Sequence, residues 1–458
     1  MRARVPFLAV ISVLATGLAG VSVPASAQPL GLGEVTGLIV NYRPGTAEAT
    51  SDVAAQSDAQ AKRATLGRRL ATGSTLITVT NPLELTRVAA AFAADPKVAS
   101  VEPDALMYPL AESPNDPEYP RQWHYSEDKA GMRVPGAWDQ STGKGAVVAV
   151  IDTGYVKHPD LEGNIIAGYD FISSAARARD GDGRDADASD EGDWNNAIEC
   201  LLAPARGSSW HGTHVAGTIA ALTNNGTGVA GIAYNAKVQP VRVLGRCGGT
   251  TSDIIDAIAW ASGGSVPGVP ANATKANVIN MSLGGSGACS SALQSAITGA
   301  VGRGTSVVVA AGNSNADVSG FNPANCDNVI AVASTNRNGD RSFYSNFGEK
   351  VDIAAPGGQT RNADDAAGTV TTPENGVWST LNDGATTPGN PIYKPYMGTS
   401  MAAPHIAGLV ALLLGKNAGL SPAQVESLIK ANARPIPGKC DEGCGAGLAD
   451  ATATVAAS

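Results

Sequence analysis

Residues 145–154 read GAVVAVIDTG. Val147 to Ile151 are apolar without a break, and the run ends on Asp152, Thr153 and Gly154. A strand with one wet face alternates apolar and polar residues, whereas a strand covered on both faces does not. The stretch therefore predicts a central strand of a parallel sheet, with helices on both sides.

Outward from that strand the pattern repeats. KVQPVRVLG (237–245), ANVINMSLGG (276–285), TSVVVAAGNS (305–314), NVIAVAST (328–335) and KVDIAAPGG (350–358) read as further strands. HGTHVAGTIAAL (211–222), TSDIIDAIAWAS (251–262), SSALQSAITGAVGRG (290–304), GTSMAAPHIAGLVALLL (398–414) and SPAQVESLIKANA (421–433) read as helices. Strands alternating with helices predict an α/β domain, mainly a parallel sheet sandwiched by helices. Ligands of such sheets bind beyond the C-terminal ends of the strands, so the residues at those ends matter most.

Three ends carry reactive side chains. Asp152 closes the first strand, His211 opens one helix and Ser400 opens another. Taken alone, Ser400 is an ordinary helix cap. With a histidine and a carboxylate at comparable junctions it is a candidate nucleophile: the hydroxyl attacks, the imidazole takes its proton, and the carboxylate orients the imidazole. Asn313 ends the strand VVVAAGNS, and its amide can donate to a developing oxyanion. The Ser400 N–H in a first helical turn is a second donor.

VAVIDTG around Asp152, HGTHVAGT from His211 and GTSMAAP around Ser400 resemble the three signatures of the subtilisin-like serine peptidases, in that family's order. The likeness spans most of residues 113–450. It implies peptide-bond hydrolysis without a metal at the reacting centre, with Asp152, His211 and Ser400 as the triad and Asn313 in the oxyanion hole. By the same resemblance, the segment from Ser282 through Leu283 and Gly284 to Gly285 pairs with substrate backbone. With Ala310, Ala311 and Gly312 it forms the pocket walls. These residues are small and uncharged, which suits a roomy pocket for large apolar side chains. His124, His158, His214 and His405 are expected to be structural.

The N-terminus MRARVPFLAVISVLATGLAGVSVPASA has a basic start, an apolar run and a small-residue end, as a secretory signal does. Cleavage is expected after Ala27, which makes the product extracellular. No later run is expected to reach the roughly 18 apolar residues that span a bilayer. Residues 28–110 hold three predicted strands (35–43, 74–80, 98–107) and two helices (46–66, 82–95), a small α+β unit without Cys or His. It resembles an inhibitory pro-segment that templates and blocks the body, with self-cleavage near Leu110–Ser113. The body is then 111–458.

All six cysteines, Cys200, Cys247, Cys289, Cys326, Cys440 and Cys444, lie in that body, and an even number in an exported chain favours disulfides. Cys440 and Cys444 are close enough to close a small loop. Cys200–Cys247 and Cys289–Cys326 are the expected remainder. The chain carries 32 basic and 41 acidic residues, net −9, with the whole excess in the body. Such a surface has no general attraction for nucleic acid. Much of the charge lies in RDGDGRDADASDEGDW (179–194). Asp182, Asp185, Asp187 and Asp190 are the expected ligands of a structural calcium ion, since flexible oxygen-rich loops bind it. A plain solvated acidic loop is the alternative.

The expected protein is a secreted, self-processed, monomeric serine endopeptidase, acting on protein or peptide substrates and inhibited by its own pro-segment. The rival is an inactive, calcium-dependent peptide-binding relative. Neither reading places it at a membrane once the signal is removed.

Overall fold

The computed structural model describes residues 35–81, 84–105, 113–200 and 204–458. The expected signal and most of the expected cleavage region lie outside these. The chain divides into two compact units, Met1–Leu110 and Ala111–Ser458.

The first unit runs β1 (Val35–Tyr42), α1 (Ala47–Thr50), α2 (Asp52–Ala61), β2 (Thr65–Arg69), β3 (Thr75–Thr78), α3 (Leu85–Ala93) and β4 (Val98–Ala105). Its antiparallel sheet has the order β2-β3-β1-β4. Leu38, Val40, Ile77, Val88 and Phe92 form its core. The sequence reading merged residues 46–66 into one helix. The structure breaks it at Ser51, whose hydroxyl caps α2 through the Ala54 N–H at 3.3 Å. It also turns Thr65–Arg69 into a strand against β3. Tertiary pairing overrides weak local preference there.

The second unit begins with two short helices, α4 (Trp123–Ser126) and α5 (Pro135–Trp138). Then come β5 (Val147–Asp152), β6 (Tyr169–Asp170), α6 (Ala175–Ala178), α7 (His211–Ala220), β7 (Lys237–Arg242), α8 (Thr251–Ala261), β8 (Val278–Met281), β9 (Gly285–Ser286) and α9 (Ser291–Gly302). It continues with β10 (Ser306–Ala310), β11 (Phe321–Asn322), β12 (Ile330–Thr335), β13 (Ile353–Pro356), β14 (Val377–Asn382), β15 (Pro391–Tyr396), α10 (Thr399–Lys416), α11 (Pro422–Ala431) and α12 (Ala451–Ala456).

Seven strands form one sheet in the order β13-β12-β10-β8-β5-β7-β6, every pair parallel. Val148 and Val150 of β5 pack into the core shared with α7 and α10, while Ala149 and Ile151 pack into the core shared with α8 and α9. Both faces are dry, which is why the strands lack polar alternation. The chain order reverses between β8 and β7 on either side of β5. The crevice at such a switch point is where α/β sheets bind ligands.

Two features were not anticipated. The hairpin β14–β15 pairs Val377 with Tyr396 through Asn382 with Pro391. Two prolines in β15 argue against a strand from sequence alone. Helix α10, at 18 residues, is long and apolar enough to cross a membrane. It is instead the core helix: every residue from Met401 to Leu413 is buried. The disulfides are Cys200–Cys247, Cys289–Cys326 and Cys440–Cys444, the three pairs expected.

Candidate active site

Asp152 ends β5 and is fully buried. Its Oδ1 accepts from the Thr153 N–H at 2.7 Å. His211 is the first residue of α7, and its Nδ1 lies 2.8 and 2.9 Å from the two Asp152 oxygens. Thr153 joins the two elements again, its hydroxyl accepting from the Gly212 N–H at 3.0 Å. Burial pushes the imidazole toward neutrality, but Asp152, then Asp193 and Asp190, hold its pKa above the ordinary 6.5.

Ser400 is the second residue of α10 and caps nothing, since Gly398 takes the N-cap position. Its half-buried hydroxyl donates to the Ser282 carbonyl at 3.1 Å. Pro404 has no N–H, so the Ser400 carbonyl lacks its usual helical donor. The Ser282 hydroxyl supplies one at 2.8 Å. The pair of bonds locks the nucleophile candidate to the end of β8. Among the described residues no hydrogen bond joins Ser400 to His211 in this conformation. Such bonds are often long before substrate binds.

Asn313 follows β10. Its Oδ1 accepts from the Thr399 N–H at 2.8 Å and the Thr399 hydroxyl at 2.9 Å. A backbone N–H can only donate, so the amide oxygen faces Thr399 and Nδ2 faces away. A Cβ on Gly398 would sit 3.5 Å from that Nδ2 and 3.6 Å from the Ser400 nitrogen. Both donors thus border the space that the missing side chain leaves open. The turn carrying Asn313 is held by buried Asn346, which donates to the Ala311 carbonyl and accepts from the Ser314 and Ala316 N–H groups. Thr399 and Asn346 were missed from the sequence: nothing local marks a residue that shapes a turn far away in the chain.

Ser282, Leu283, Gly284, Gly285, Ala310, Ala311 and Gly312 line one hollow beside Ser400 and Asn313. Phe321 and Asn322 of β11 complete it; the reading had not found them, because β9 and β11 meet only through the fold. The Cys289–Cys326 bond staples the segments that follow these two strands. Leu283 and Gly284 lie outside every strand pair among the described residues, so their backbone groups can pair with an extended chain. Residues 282–285 also wall a second hollow, shared with His211, Thr153, Leu244 and Asp193. A strand laid along them sends alternate side chains to opposite sides.

The expected calcium ligands do not come together. Asp185 and Asp187 accept from N–H groups two residues on, at 2.8 and 3.0 Å, and buried Asp190 does the same for Gly192 at 2.9 Å. Asp182 is exposed, and its N–H donates to Asp180. Among the described residues no three His, Cys, Asp or Glu side chains converge on one point. Guanidinium groups tie the segment to its surroundings. Arg242 from β7 reaches Asp170 and Asp180 at 2.5 and 2.9 Å. Arg184 reaches Asp253 and Asp256 of α8, each at 2.6 Å. Counting charges along the segment alone hid Arg242 and made the loop look starved of cations.

The remaining histidines are packed. His124 Nδ1 lies 2.8 Å from His405 Nε2, and His405 Nδ1 donates to the Met401 carbonyl at 2.7 Å. His158 contacts the Ile392 carbonyl. His214 donates to the Lys394 carbonyl at 3.1 Å and stacks on Tyr396.

A buried carboxylate beside an imidazole, and a hydroxyl whose own N–H and the Asn313 amide border one open space, are the groups that acyl transfer uses. Comparison with known proteins points the same way. A model described as the Subtilase family matches residues 143–447. An extracellular protease of Xanthomonas campestris is 55% identical over 395 residues, which cover 85% of this chain and 65% of that protein. An extracellular basic protease of Dichelobacter nodosus is 45% identical, covering 79% of this chain and 59% of its own. The chain thus spans less than two thirds of the length of both. A solved protease of Pseudoalteromonas arctica is 56% identical with a TM-score of 0.72, covering 75% of this chain and 99% of that one.

Proposed function

We propose, because this chain belongs to the subtilase family, that it is a secreted serine endopeptidase acting on proteins or peptides through Asp152, His211 and Ser400. The observation that carries this reading is the His211–Asp152 contact, with residues 282–285 lining both the hollow that holds His211 and the hollow that holds Ser400 and Asn313. The Ser400 hydroxyl attacks the scissile carbonyl and its proton passes to His211 Nε2. The carbonyl oxygen becomes an oxyanion in the space bordered by Asn313 Nδ2 and the Ser400 N–H. His211 then protonates the leaving amine, and water resolves the acyl-enzyme by the same route. No metal enters any step.

Residues 28–110 act as an intramolecular inhibitor removed by self-cleavage near Leu110–Ser113. The names of the relatives support export. The test is a casein assay with an organophosphate serine reagent. Clearing that the reagent abolishes, with the label on Ser400, is expected. An unlabelled Ser400 without proteolysis would leave only a peptide-binding relative. The cleavage profile is expected to favour large apolar residues before the scissile bond, because among the described residues no charged side chain lines the hollow beside Ser400. A strict preference for basic residues there would contradict that.

Asn313→Ala is expected to lower kcat by about 10²–10³ with KM little changed, a magnitude carried over from subtilisin, a member of this family. Steady-state kinetics on a peptide anilide check it. A fall in kcat below tenfold would remove Asn313 from the oxyanion site.

A further inference from the structure

The acidic segment holds no convergent cation site among the described residues, yet two of its carboxylates are buried beside His211. Asp193 accepts from the Ser209 N–H at 2.6 Å and from the Ser209 hydroxyl at 3.0 Å. On its other side Ser209 is held through its carbonyl, which accepts from the Tyr396 hydroxyl at 2.9 Å. The next residue, Trp210, has a φ of +50°, a left-handed conformation that bulky side chains rarely adopt. Its indole N–H is tied to the Gly384 carbonyl at 2.8 Å. His211 follows at once. Asp193 thus grips the residue before a strained turn that delivers the imidazole, and it lines the same hollow as that imidazole.

We propose that Asp193 is a positioning residue for His211: through Ser209 it sets the turn into α7, and through its charge it stabilises the imidazolium formed when Ser400 gives up its proton. This rests on the peptidase reading above. The proton moves from Ser400 Oγ to His211 Nε2, so one positive charge appears on the ring. Asp152 meets it at Nδ1. Asp193 adds a second negative charge nearby, with little solvent around it to screen the field. Asp190, buried in the same segment, adds its charge to the field at the ring, and His214 lies one turn further along α7. Arg206 is the opposing charge, 3.6 Å from Asp193 and 55% exposed.

The sign follows. A raised His211 pKa means the imidazole is protonated, and idle as a base, up to a higher pH. Activity is gained as pH rises through that value. Asp193→Asn removes negative charge, so the acid limb of kcat/KM is expected to move to lower pH by about half a unit or more. Asp193→Glu is expected to return it toward the wild-type position. Arg206→Gln unmasks Asp193 and is expected to move the limb to higher pH. Ser209→Ala keeps the charge and is expected to lower the plateau without moving the limb. A purely structural Asp193 predicts lower plateaus and an unmoved limb in every variant. Should Asp193→Asn fail to fold, Arg206→Gln decides, since its exposed side chain is expendable to the fold. A limb that stays put in both, or moves the opposite way, overturns the proposal. Titrating the His211 ring by nuclear magnetic resonance in Ser400→Ala reads the same shift without turnover. An inactive wild type would instead overturn the peptidase reading.

Discussion

Ser400→Ala is expected to lose about 10⁶-fold in kcat, a magnitude known from subtilisin in the same family and carried over to this chain. The melting temperature is expected to stay within a few degrees of the wild type. The two outcomes separate chemistry from folding. Alanine is a better helix former than serine, and the hydroxyl makes one hydrogen bond, to the Ser282 carbonyl. Losing such a bond costs about 1 kcal/mol. Chemistry loses far more, because the proposed mechanism has no other nucleophile. Any residual rate comes from the oxyanion donors and substrate binding alone. The variant is also expected to be secreted with residues 28–110 still attached. Intact mass and N-terminal sequencing of the secreted wild type and variant check both claims. A correctly processed variant, purified from a strain without other peptidases, would show that Ser400 is not the nucleophile of the cut.

Asp152→Asn is expected to cost about 10⁴-fold in kcat/KM at neutral pH. The local hydrogen bonds give the reason. The Thr153 N–H donates to Oδ1 at 2.7 Å, so an asparagine must place its amide oxygen there. Its NH₂ then takes the Oδ2 position, 2.9 Å from His211 Nδ1 in the wild type. The NH₂ now competes to donate to Nδ1 with the amide oxygen, 2.8 Å away, that accepts from it, and every ring that takes the NH₂ proton carries its own on Nε2. An Nε2 already protonated cannot take the serine proton. The substitution also removes the nearest negative charge holding the imidazole pKa up. The acid limb is therefore expected to fall below its wild-type position even as the plateau collapses. A pH series of kcat/KM, paired with a melting curve, tests this. Activity within tenfold of the wild type at pH 7 would mean that Asp152 does not set the tautomer.

Asp152, His211, Ser400 and Asn313 were legible because each sits where a strong local pattern ends. A continuous apolar strand, or the start of an apolar helix, is visible in one stretch of chain. The pocket-wall residues 282–285 and 310–312 came instead from the family resemblance of their segments. Thr399, Asn346, Phe321 and Asn322 were not: their roles arise from partners tens of residues away. The acidic segment misled for a related reason. Its aspartates satisfy N–H groups two residues on, a short-range habit of Asp in turns. Its long-range charge is met by Arg242, in a strand that reads as an ordinary buried run.

The residues alone determined the sheet, its helices, the order of the reactive side chains and the set of chemistries open to them. Periodicity and burial are local, and five unbroken apolar residues before Asp152 admit few alternatives to a strand covered on both faces. Only the tertiary structure decided which way the Asn313 amide points, that Ser282 replaces the donor Pro404 lacks, and that Asp193 shares a hollow with His211. Those outcomes depend on hydrogen-bond direction and charge over a few ångströms between segments far apart in the chain. Such distances exist only once the backbone has closed on itself.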